Sequence, residues 1–222
     1  MFSNWHLATD WPWLALFALG AYHGLNPGMG WLFAVALGLQ ENSRRAVLRA
    51  LPPIALGHFV SIGLIVIALQ LAQPRLPHWT LRFLTAAILL AFGLFRLIRS
   101  RHPRWVGMRV GFRDLTLWSF LMASAHGAGL MVAPILLGWP QEGHGHRMAS
   151  VLPSLAGAFQ AGSVRWWLPV VIHTAGYLAM TGLVALVVYR KLGVAILRRA
   201  WFNLDLVWAV ALVATGMLSL LL

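Results

Sequence analysis

Apolar residues fill this chain in six long blocks, at about 11–39, 46–71, 79–98, 114–138, 164–189 and 201–222, separated by short polar or basic stretches. Within the blocks the apolar positions run on continuously and do not alternate, which favours helices over the strands of a barrel. Each block supplies the roughly 20 residues that a helix needs to cross a hydrocarbon core. The pattern therefore predicts an all-α membrane protein of six transmembrane helices. One block carries a conspicuous interruption, Asn26-Pro27-Gly28, in mid-span. Proline there removes a helical hydrogen bond and glycine loosens the backbone, so the first helix is expected to break at that step. Gly129 and Pro134 in the fourth block predict a weaker break.

Six spans divide into two sets of three: 1–98 as a first three-helix repeat, 99–113 as a basic cytoplasmic linker, and 114–222 as a second repeat. Because three is odd, the halves cross the bilayer in opposite senses, the 3+3 inverted plan in which a transport site lies near the midplane. Histidines respect this division. The first span of each half has a His-Gly pair, His23-Gly24 and His126-Gly127, and the second span of each half has His58 or His173. Polar groups at such depth face the bundle interior and mark function. Any one of the four is adequately explained as a neutral imidazole bonded to a neighbouring helix; four in matched places point to a shared central site.

Charge changes the picture mainly by giving an orientation. Thirteen of the 17 Lys and Arg fall between spans 1 and 2, 3 and 4, and 5 and 6, among them Arg44, Arg45, Arg49, Arg113, Arg190 and Lys191. The positive-inside rule puts these loops in the cytoplasm and both termini outside, in the cytoplasmic (inner) membrane. The rule and anionic lipid head groups account for the net charge of +12, so no nucleic-acid partner is inferred. The residues before the first block carry Asp10 and no Lys or Arg, a poor match to a cleavable signal, and the N-terminus is expected to be retained. The many Trp near span ends suit an aromatic belt, and small residues such as Gly20, Gly127 and Gly176 suit close helix packing.

With 60% hydrophobic residues, a mean hydropathy of +0.76 and no Cys, the chain lacks thiolate ligation, dithiol relay and disulfides. Its five carboxylates fall in loops or near span ends, none placed for a midplane proton relay. No phosphate-cradling Gly-x-x-x-x-Gly-Lys-Ser/Thr is present. In the outer loop, Glu142-Gly143-His144-Gly145-His146 could collect a borderline metal, and the apolar stretch 149–163 after it could act as a lid.

The pattern His23-x-x-x-Pro27-Gly28-x-Gly30 resembles the His-x-x-x-Pro-Gly-His-Gly signature of nickel/cobalt exporters and urease-accessory-type membrane proteins of the LysE superfamily. Ser43-Arg44-Arg45-Ala46 with Ala55-Leu56-Gly57-His58, and the stretch from Leu90 to Arg99, are similar to the basic loop, second helix and third-helix end of that superfamily. The resemblance implies export and a metal-binding role for His23 alone. Two departures stand out: Met29 replaces the second His of the signature, and only His102 follows span 3 where the family has a His-rich loop.

Together these features predict a secondary transporter, not an enzyme, exporting a small solute. Its expected cargo is a divalent transition-metal cation such as nickel, cobalt, zinc or copper. His23, His58, His126 and His173 would be the metal ligands, supported by Asn26, Met29 and backbone carbonyls freed by the helix break. Neutral imidazoles bind metal and protonated ones repel it, so the proton gradient could drive release. Two alternatives stay open: bis-His ligation of haem b in a membrane redox protein, and export of an amino acid or other small organic solute. Homo-oligomer formation is also left open.

Overall fold

Every described element is helical, as continuous apolar blocks require. The computed structural model describes residues 5–98, 111–138, 164–192 and 204–221. Most of the expected linker, the loop with Glu142, His144 and His146, and the stretch 149–163 lie outside them. The helices are α1 (Trp5–Leu25), α2 (Trp31–Gln40), α3 (Arg44–Ala72), α4 (His78–Ile98), α5 (Phe112–Ala125), α6 (Ala128–Gly138), α7 (Val164–Val187) and α8 (Leu204–Leu221). A single wider turn, Val188–Leu192, prolongs α7.

Three helical stretches, at 44–72, 78–95 and 166–191, are long and apolar enough to cross a membrane, and α5 with α6 makes a fourth if the bent pair is one span. The chain accordingly reads as a membrane protein. The remaining two predicted blocks coincide with α1 followed by α2 and with α8.

The first break falls where proline and glycine placed it. α1 ends at Leu25, Pro27–Met29 forms one tight turn, and Gly30, at φ 125°, starts α2. Asn26 holds the turn by accepting the Gly28 N–H on its side-chain oxygen at 2.9 Å. The second break is stronger than expected and lies elsewhere. α5 and α6 meet at a 57° bend at His126-Gly127, where Gly127 adopts φ 68°, while Pro134 sits inside α6 without ending it. Gly127 adopts the left-handed conformation in which helices commonly end, whereas α6 continues through Pro134 despite the lost N–H donor.

The most extensive helix contacts join early helices to late ones: α1 with α7, α3 with α5, and α4 with α8. Gly20 of α1 lies against the His173 carbonyl and Gly176 of α7 against the Phe17 carbonyl, so neither position has room for a Cβ, and the two helices run parallel at close approach. Gly57 similarly brings α3 against Thr116 of α5, and Ser61 meets Ser124 at 2.9 Å further along the same parallel seam. The α4–α8 pair is antiparallel, with Arg82 near the Ser219 carbonyl and Gly93 near Val213. One end of the bundle is basic. It gathers the start of α3 with Arg44, Arg45 and Arg49, the start of α5 with Arg113, and the end of α7 with Arg190 and Lys191, close to Gly38 and Val47.

Candidate functional site: a buried histidine cluster

His23 lies on the last turn of α1 before the break, His58 in the middle of α3, and His173 in α7. The α1–α7 glycine contacts and the α3–α7 packing bring their rings together in the interior, all fully buried. His23 stands edge-on to the other two, with centroids 5.6 Å from His58 and 4.9 Å from His173, while the His58 and His173 rings are parallel at 5.5 Å. His126 ends α5 at the second break, is also fully buried, and lies near enough for a charge on it to be felt at His23. The fold thus assembles all four predicted histidines in one region, three of them in direct ring contact.

The two histidines beside the breaks are held alike. His23 Nδ1 pairs with the Leu19 carbonyl at 2.8 Å, and His126 Nδ1 with the Met122 carbonyl at 2.7 Å, each one turn back on its own helix. Those bonds assign Nδ1 as the protonated nitrogen in neutral rings, because a carbonyl can only accept. His58 and His173 differ: among the described residues, neither ring nitrogen of either has a hydrogen-bond partner. The Leu16 carbonyl lies beside His173 without hydrogen-bond geometry. Buried polar atoms left unmatched cost about 1–3 kcal/mol each, which marks them as groups kept for something other than stability.

The carbonyls at the helix break each accept from an aromatic side chain. Trp31 Nε1 reaches the Leu25 carbonyl at 3.0 Å, Trp118 Nε1 of α5 reaches the Gly28 carbonyl at 3.1 Å, and the Tyr177 hydroxyl of α7 donates to the Met29 carbonyl. A broken helix in an apolar interior leaves carbonyls that need donors, and these three side chains provide them. Asn26 is engaged in the turn through its oxygen, with its buried amide nitrogen unpartnered. Met29 is buried in the central core and connects to the cluster through its carbonyl.

Sequence reasoning missed Tyr177. Its ring stacks on His58, centroids 3.8 Å apart and planes 12° from parallel. A tyrosine one turn after His173 in an otherwise apolar helix was the available signal, since a buried hydroxyl seeks a partner. Trp118, read as part of an aromatic belt, is likewise an interior donor, packed edge-on against Phe33.

Among the described residues no group of three or more His, Asp or Glu is arranged to hold a metal ion. Glu41 and Asp114 are exposed, the first paired with Arg49 and the second capping α5 through the Gly111 N–H. What the cluster offers is a set of buried imidazoles in contact, with ring nitrogens that a rotation could turn toward a small ligand. Comparison with protein-family models, curated proteins and solved structures finds no match to this chain.

Proposed function

We propose that this chain is a secondary transporter of the inner membrane, built as a 3+3 inverted repeat with both termini outside, that exports a small solute through the histidine cluster. The observation that carries this reading is the full burial of four histidines from matched positions, with every ring nitrogen of His58 and His173 unpartnered among the described residues. The parallel pairing of α1 with α7 and of α3 with α5, the antiparallel α4–α8 pair, and a break beside His23 and beside His126 are what an inverted repeat would give. A divalent transition-metal cation is the favoured cargo, because imidazole suits nickel, cobalt, copper and zinc and the LysE-like signature surrounds His23. Binding would require the rings to rotate so that their nitrogens converge.

An organic solute is the second reading, favoured by the lack of converging donors in the described arrangement. Haem b is disfavoured by the ring contacts: imidazoles 4.9–5.6 Å apart, with Tyr177 stacked on one of them, leave no slot for a porphyrin between any of the three rings.

The test is elemental analysis of purified protein beside a variant with His23, His58, His126 and His173 all changed to Ala, together with counterflow of nickel, cobalt, zinc and copper in liposomes. Metal retained or moved by the native chain and lost in the variant supports the cation reading. Near-stoichiometric iron would replace it with haem. Metal-independent exchange of an organic solute would leave the transporter and change its cargo.

A further inference from the structure

Tyr177 sits one helical turn beyond His173, on the side of the cluster that faces the basic end of the bundle. On that side also lie the Met29 carbonyl, Ser119 and Thr181. The Ser119 hydroxyl donates to the Ile54 carbonyl at 2.6 Å, one turn before His58, and faces the Tyr177 hydroxyl; Thr181 faces the same hydroxyl outside hydrogen-bond geometry. All three side chains are buried. Four residues after His58, where the matching spacing would place a second tyrosine, the chain has Ile62. The tyrosine therefore covers the cluster on one side only.

Two tasks meet in this side chain. Its ring lies flat over His58, and its hydroxyl satisfies a carbonyl that the helix break would otherwise leave unpaired. Swinging the ring away would uncover His58 and release the Met29 carbonyl in one movement, turning a satisfied acceptor into a free oxygen beside the imidazoles. We infer that Tyr177 is the gate between the histidine cluster and the basic end, latched shut by its hydrogen bond to the Met29 carbonyl. The inference rests on the cluster being a solute site, and it names the residue that controls access to that site.

The absence of Cys makes the gate directly testable, because a single introduced thiol is the only one present. His173→Cys would be placed in three backgrounds, Tyr177, Tyr177→Phe and Tyr177→Ala, and treated with a membrane-impermeant methanethiosulfonate from each face of sealed vesicles. Tyr177→Phe keeps the ring and removes the latch, so labelling from the basic-end face should rise about tenfold, the factor set by one hydrogen bond of ordinary strength. Tyr177→Ala should raise it further, and labelling from the opposite face should not change. Equal rates in the native and Phe backgrounds, or equal increases from both faces, would overturn the gate. If Tyr177→Ala does not fold, the comparison with Tyr177→Phe decides alone. The labelling needs no cargo. Ungated labelling beside His-dependent transport overturns the gate only, and gated labelling in a protein whose His variants bind and move solute normally overturns the histidine-site reading only.

Discussion

At single residues, the chemistry of the interior is governed by which polar atoms have partners. The broken first helix carries three carbonyls that would be orphaned in lipid, and Trp31, Trp118 and Tyr177 each donate to one. Among the described residues, His58 and His173 have no such partner, although His58 lies directly under the Tyr177 ring. Satisfied and unsatisfied groups thus lie side by side, which separates scaffold from site. Trp118→Phe preserves the aromatic packing on Phe33 and strands the Gly28 carbonyl. It should cost about 1–3 kcal/mol, measured as a lower unfolding midpoint in detergent, with the histidine rings undisturbed in their nitrogen resonances. An unchanged midpoint would mean that the carbonyl finds another donor.

At the level of helices, the two breaks have different origins, and the sequence made them unequally visible. Asn26-Pro27-Gly28 announces itself, because proline and an Asx turn leave a compositional mark, and the break lies where those residues predict. The bend at Gly127 was hidden: a His-Gly pair in an apolar run is compatible with an unbroken helix, and only the left-handed backbone of Gly127 reveals the stop. Gly182 provides a matched control. A Cβ at either glycine would approach a leucine methyl at 3.2 Å, Leu212 in one case and Leu51 in the other, but only Gly127 has a positive φ. Gly127→Ala should therefore destabilise by about 1–2 kcal/mol, whereas Gly182→Ala should be nearly neutral in the same thermal assay. Comparable losses at both positions would assign the effect to crowding.

For the molecule as a whole, the helical class and the gathering of the four histidines were legible from hydrophobic blocks and matched spacing. The side chains that donate to the carbonyls of the break were not. Hydropathy and spacing say where polar atoms lie along the chain and nothing about which donor from a distant helix reaches them, as Tyr177 reaches Met29 across 148 positions. The proposed orientation can be checked with the same Cys-free background. Glu41→Cys, at the basic end, should label from the cytoplasmic face, and Pro74→Cys, at the other end, from the outer face. The reverse pattern would invert the topology and with it the direction assigned to the gate.

The helix pairing also bears on how the protein is made. α1, α3 and α4 each find their main partner among α7, α5 and α8, which leave the ribosome later. The opening 98 residues consequently emerge with their tightest seams open: Gly20 awaits His173, Gly57 awaits Thr116 and the Met29 carbonyl awaits Tyr177. During that interval the nascent helices carry polar groups whose native partners are still to come. Biogenesis of this chain is therefore completed from the C-terminal side, and a truncation lacking α7 and α8 would be a substrate for membrane quality control.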